Sequence, residues 1–214
     1  MKVVLDNLDL YLEGIRLTVE LTLGSFALAL VIGTLTAAAR VSPVPPLRAA
    51  GMFYVETVRN TPLLVIFVLF YFALPKAGIQ YPRFESAIIV LGLYTGTFVA
   101  ETVRSGINAV AGGQAEAARS LGLTFPQTLG VVVLPQALRT VVPPLGSVFI
   151  ALIKNSSVAL VIGVQELTFE ANHLAHETAR AIPVYLGAAI AYLLLALPSG
   201  WVVALIERKV AIKR

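Results

Sequence analysis

Lys154-Asn155-Ser156-Ser157 puts an ammonium, an amide and two hydroxyls on four consecutive residues within an otherwise apolar stretch, 140–165. A charge at such a depth costs about 2.5–3.5 kcal/mol on insertion scales and usually marks a pathway. These groups can hydrogen-bond an ammonium and a carboxylate together. A helix interrupted there would also free backbone groups for a solute. Small polar residues glue membrane helices to one another as well, so a bundle contact has the same signature. Two charged pairs stand three residues apart, Glu101 with Arg104 and Glu56 with Arg59. That spacing shares a helix face, giving either an ion pair near an interface or a gate or subunit contact. His173 and His176 share the spacing but lack a third ligand nearby, so a solvated loop is expected there and no metal.

The chemistry of an enzyme is missing. The chain has no cysteine, which excludes disulfides and thiolate metal sites. It has no Gly-x4-Gly-Lys-Ser/Thr phosphate loop, so ATP and its Mg2+ must bind elsewhere and no cofactor is expected in this chain. Gly112-Gly113 reads as a hinge before a helix. No Ser/His/Asp set and no paired carboxylates gather in a plausible pocket.

The loop of about 110–139 offers a contact surface instead. Ala115, Ala117 and Ala118 are small and strong helix formers, and a helix so lined can sink into a groove on another protein. Glu116 adds a charge at the helix start, available to a basic partner. Gly122 can take positive φ and end the helix. After Val132-x-Leu134, Pro135 blocks the helical hydrogen bond and turns the chain back. An ordinary helix-turn would have the same composition.

The elements that must position these groups are membrane helices. The 214 residues are 57% hydrophobic and 13% charged, against roughly 25% charged in soluble domains. A span needs about 20 mostly apolar residues. Five segments qualify: about 20–40, 53–75, 85–107, 140–165 and 181–206. Residues 5–19 alternate acidic and apolar positions at helical spacing and are expected as an interfacial helix on the outer surface. No secretory leader is expected from the acidic N-terminal stretch. Basic residues mark the cytoplasmic side: Arg40 and Arg48, Arg119 and Arg139, then Arg208, Lys209, Lys213 and Arg214. The N-terminus is therefore expected outside and the C-terminus inside. The net charge of +4 is thinly spread, which favours a membrane topology over nucleic-acid binding.

Several ordered segments resemble one family. Tyr94-Thr95-Gly96-Thr97-Phe98-Val99-Ala100-Glu101-Thr102-Val103-Arg104-Ser105-Gly106-Ile107 leads into Gly113-Gln114-Ala115-Glu116-Ala117-Ala118. This is similar to the polar amino acid subfamily of bacterial ABC importer permeases, in which an Ala-Glu-x-x-Arg-x-Gly-Ile segment precedes Gly-Gln-x-Glu-Ala-Ala. Val58-Arg59-Asn60-Thr61-Pro62-Leu63-Leu64 resembles the family's Arg-Gly-Thr-Pro-Leu segment, with Asn60 where glycine is common. Lys154–Ser157 resembles its Lys-Asp/Asn-Thr/Ser-Ser segment. Together these cover nearly the whole chain.

The resemblance implies an all-α membrane protein with the five-helix fold of type I ABC importer permeases, in one domain, 1–214, of the bacterial inner membrane. It implies a second permease subunit, identical or related, two cytosolic ATPases carrying ATP and Mg2+, and an extracytoplasmic solute-binding protein. Gln114, Glu116, Ala117, Ala118, Gly122, Leu134 and Pro135 would meet an ATPase. Lys154, Asn155, Ser156, Ser157, Asn60 and Thr61 would meet an amino acid. An acidic residue in place of Asn155 would suit a cationic substrate. Asn155 beside Lys154 points to glutamate, aspartate or glutamine rather than arginine, lysine or histidine. A gradient-driven transporter and a structural membrane subunit are the rival classes.

Overall fold

A computed structural model of the chain describes residues 2–110, 112–124 and 127–210. Among them there are helices and no strand. A short helix α1 (Lys2–Leu5) precedes α2 (Leu8–Val41), α3 (Pro45–Arg59), α4 (Leu63–Val68) and α5 (Arg83–Asn108). Then come α6 (Gly112–Ser120), α7 (Leu134–Asn155), α8 (Leu167–Thr178) and α9 (Ala181–Val210). Four helical stretches are long and apolar enough to cross a membrane, or five if α3 and the bent segment Leu63–Ala77 count as one. Lys213 and Arg214 of the expected basic end lie outside the described residues.

Helix α2 is longer than its apolar run requires. Its 34 residues span about 51 Å, against a hydrocarbon core of about 30 Å. Of residues 5–19, expected as a separate interfacial helix, 8–19 continue into the first span without a break. Two features carry the helix through. Arg16 pairs with Glu20 at 3.0 Å and lies 3.5 Å from Glu13, both at helical spacing. On the opposite face Gly14 lets the backbone of α8 come close, since a Cβ there would stand 2.8 Å from Leu167 Cα. Tyr11 donates a 2.8 Å hydrogen bond to the Val184 carbonyl of α9. One face of the stretch is therefore buried against protein, with Val4, Tyr11, Leu167, Leu174 and Val184 in one apolar cluster, while Leu5, Leu8 and Leu12 remain exposed.

The rest of α2 packs along α5, and most of its buried positions, toward α5 and toward the other helices, are small residues. Thr18, Thr22, Ser25, Ala29, Gly33 and Ala37 are all buried and recur every three or four residues. Close backbone approach and dispersion drive helix association where no hydrophobic effect operates. Gly33 shows how close: a Cβ there would lie 2.8 Å from the Gly96 carbonyl oxygen of α5.

The second expected span is bent by 104° between α3 and the segment Leu63–Ala77. Pro62 is the cause. It removes a donor and pushes Thr61 out of the helical region. Beyond the bend α4 enters the core with Leu63 and Phe67, against Leu21, Leu91, Leu152 and Ile162. The fourth span carries Pro143 and Pro144 inside α7 and changes at Ser156 from α-helix to a tighter 3-10 helix, Ser156–Ile162. That change falls within Lys154–Ser157, where an interruption was expected.

Candidate functional site

The loop between α5 and α7 is built around α6. Gly112 and Gly113 form the first turn of α6 instead of a hinge ahead of it. Glu116 consequently sits in the second turn, away from the N-terminal dipole that was expected to favour it. Gln114, Glu116 and Ala117 are exposed, and Ala118 is buried. Gly122 ends the element with φ +83°. The Gly122 N–H donates to the Arg119 carbonyl at 2.9 Å and the Leu123 N–H to the Ala118 carbonyl at 3.2 Å. That pair of bonds is a Schellman motif, in which a left-handed residue satisfies the last carbonyls of the helix. The Gln127 side-chain oxygen then accepts from the Thr124 N–H and hydroxyl at 2.9 and 3.0 Å. Leu134 opens α7 and Pro135 lies exposed in its first turn, where it does not turn the chain as expected, since the helical turns Thr128–Val133 lead directly into α7. A short, rigidly capped helix thus presents one polar face and one small residue, Ala117, outward.

Close to this loop in the chain, three charges bind α2 to α5. Glu101 accepts hydrogen bonds from Arg104 at 2.9 and 3.2 Å through one carboxylate oxygen. Its other oxygen pairs with Arg40 at the end of α2. The Arg40 side chain is 11% exposed and that of Glu101 24%, so the pair is largely withdrawn from solvent. The i,i+3 spacing pointed to Glu101 and Arg104. Arg40, 61 residues away from Glu101 in sequence, was visible only as a topology signal. An open pocket beside the cluster is lined by Glu101, Thr102, Ser105, Gly106, Thr140 and Pro144.

Glu56 and Arg59 form no ion pair among the described residues. Arg59 lies over the ring of Phe98, 5.5 Å from its centroid, which links the end of α3 to α5 by a cation–π contact. Asn60 and Thr61 donate to the Glu56 and Thr57 carbonyls of their own helix, both at 2.7 Å. They finish α3 and, among the described residues, form no hydrogen bond with Lys154–Ser157.

Within the latter segment the four side chains divide. Ser156 is buried and donates to the Ile153 carbonyl at 2.7 Å, and Ser157 donates to the Lys154 carbonyl at 2.7 Å. Both hydroxyl protons are spent on the helix, so the hydroxyls are not free donors to a solute. Lys154 is exposed. With Ser157 it lines a groove of about 450 Å³ whose other wall is Ala189, Tyr192, Leu193 and Ala196 of α9. The groove contains one cationic donor and no carboxylate, a composition suited to an anionic or amide group.

Glu166 is the charged residue near this region that the sequence pattern missed. It is fully buried and caps α8, accepting from the Thr168 and Phe169 N–H groups at 2.9 and 3.0 Å and from the Tyr192 hydroxyl at 2.7 Å. Burial pushes its carboxyl above the ordinary range, while these hydrogen bonds pull the other way. Glu is not among the usual N-cap residues, so the sequence carried no signal for this cap, and the contact with Tyr192 leaves none either. His173 and His176 sit on α8 instead of a loop, with His173 3.6 Å from Glu177 on an exposed face.

Residues 29–212 match the family described as binding-protein-dependent transport system inner membrane component. A probable glutamine ABC transporter permease protein of Bacillus subtilis, GlnM, is 37% identical over 98% of this chain and 97% of its own. The glutamate transport system permease protein GluC of Corynebacterium glutamicum is 40% identical over 95% of each. Among solved structures, an amino acid ABC transporter with histidines superposes with a TM-score of 0.91 at 33% identity, covering 96% of both chains.

Proposed function

Because the chain belongs to the family of binding-protein-dependent transport system inner membrane components, we propose that it is one transmembrane half of an ATP-driven amino acid importer. It lies multi-pass in the bacterial inner membrane, N-terminus outside and C-terminus inside. It pairs with a second, identical or related permease across a two-fold axis. An extracytoplasmic solute-binding protein delivers substrate, and two cytosolic ATPases supply the energy, with ATP and Mg2+ on those subunits and not on this one.

The observation that carries this is α6: a short helix with exposed Gln114, Glu116 and Ala117, fixed by the left-handed Gly122. Its function is mechanical. Closure of the ATPase dimer on ATP binding pushes α6, and the push reaches α5 through the short link after Asn108. The Arg40–Glu101–Arg104 cluster makes the inner ends of α2 and α5 move together. Outward opening follows, and hydrolysis resets the subunit inward. Such a cycle requires the ATPase to make different contacts in the two states.

Substrate identity follows from charge. Lys154 lines the groove beside Ser157 and, among the described residues, has no carboxylate partner, so it favours a substrate carboxylate, and Asn155, its neighbour in sequence, carries an amide in place of a negative charge. Glutamate, aspartate or glutamine is the substrate class. The names of the B. subtilis and C. glutamicum relatives, for glutamine and glutamate, support it. The test is uptake into proteoliposomes containing the complete importer, with amino acids in competition. Glutamate or glutamine should compete best, and Asn155→Asp should lose at least about fivefold of that preference, as a nearby like charge costs roughly 1 kcal/mol. Competition by arginine or histidine alone would assign a cationic substrate instead. Uptake that persists without any ATPase would assign the chain to gradient-driven transport.

A further inference from the structure

Away from the polar groove, an apolar cleft of about 490 Å³ opens between α2, α7 and α9. Phe26, Leu145, Phe149, Pro198, Val202 and Ile206 form most of its walls. Pro198 lies within α9, and the Ser199 hydroxyl donates to the Leu195 carbonyl at 2.8 Å, so the only polar side chain in the lining is turned to its own helix. From Pro198 to Ile206 the cleft runs about 12 Å along α9. That is most of one leaflet's share of a core about 30 Å thick. Trp201, Leu197 and Leu205 flank it and are strongly exposed.

The end of the cleft is cationic. Arg139 lies one turn beyond Val142 on α7, and Lys209 one turn beyond Ile206 on α9, each on the face of the lining residue before it. Both are exposed, as is neighbouring Arg208. Glu207, the one carboxylate on that turn, follows Val203 of the same cleft wall, and against Arg139, Arg208 and Lys209 it leaves the end net cationic. Arg40, at the same end of α2, is already engaged by Glu101.

We propose that this cleft holds an acyl chain of an anionic phospholipid, with its phosphate paired by Arg139 and Lys209. The orientation argued above serves only to name the leaflet, the inner one. Shape and charge separate a lipid from a second permease here. A two-fold interface places the same patch against itself, so it would bring Arg139, Arg208 and Lys209 of two copies together, and like charges juxtaposed in an interface are unfavourable. A lipid fills the apolar channel and brings the opposite charge. Each basic residue near an anionic membrane surface is favourable on its own.

The permease would be purified with the subunits it assembles with, from vesicles of equal phosphatidylglycerol and phosphatidylcholine, and retained lipids counted by native mass spectrometry. Phosphatidylglycerol should be retained in preference. Arg139→Gln with Lys209→Gln should lower its retention about tenfold while the complex in the same spectrum stays intact. Val202→Trp, which fills the cleft, should reduce both lipids. Equal retention of the two lipids, unchanged by the double substitution, would overturn the proposal. So would cross-linking of two permease copies through Val202→Cys, a clean probe because the chain has no other cysteine.

Discussion

Glu101 joins two guanidinium groups from different helices, and its loss should be felt in both. Neutralising it leaves Arg40, only 11% exposed, without its carboxylate. Removing one partner of a fully buried pair costs about 3–5 kcal/mol. With Glu101 and Arg104 partly exposed, about 1–3 kcal/mol is expected for Glu101→Gln. Thermal unfolding of the purified complex should show a lower midpoint, and adding Arg40→Gln should cost less than the sum of the single changes. An additive double variant would mean that the two residues do not act as a pair. Gly122 is a different case, since its role is conformational. At φ +83° a residue with a Cβ strains the turn by roughly 1–2 kcal/mol, so Gly122→Ala should weaken ATPase binding without unfolding the membrane core. Retention of full ATPase binding in a pull-down would count against α6 as the docking element.

At the scale of the elements, contact between α2 and α5 rests on small residues. Gly33→Leu should destabilise by about 1–3 kcal/mol, the usual cost of overpacking, because its Cβ would meet the Gly96 carbonyl at 2.8 Å. Leu35→Ala, on the same helix but 66% exposed, should change little in comparison. Equal effects on expression and unfolding temperature would place the packing face elsewhere. Such features divide into those written locally in the chain and those that are not. The apolar runs between charged ends pointed to the long helices, and Gly122 marked the end of α6, but Pro135 marks no turn, because a proline is accommodated where the helical turns Thr128–Val133 run into α7. Length and composition could not reveal that α2 begins at Leu8, because one face of its first turns, Tyr11 and Gly14, is covered by α8 and α9, which lie more than 140 residues further on, while its acidic residues stay exposed. The pairing of Arg59 with Phe98 and of Arg40 with Glu101 was hidden for the same reason: side-chain partners across helices leave no periodic trace. The serines of Lys154–Ser157 looked like ligands in sequence, yet their hydroxyls serve the helix turn. Glu166 was legible neither as a cap, since Glu is not a usual N-cap residue, nor as the residue that receives Tyr192.

For the whole molecule, the proposed role is read through the subunits it is proposed to assemble with. In that proposal movement enters at α6, is carried by α5 with α2 attached, and reaches the groove between α7 and α9 beside Lys154. The most direct measurement is amino-acid-stimulated ATP hydrolysis by the reconstituted complex of permease, ATPase and solute-binding protein. Hydrolysis should rise with glutamate or a close relative, and Gly122→Asp should abolish the stimulation while leaving the isolated ATPase active. Failure of any ATPase to associate, or unchanged stimulation in Gly122→Asp, would contradict coupling through α6.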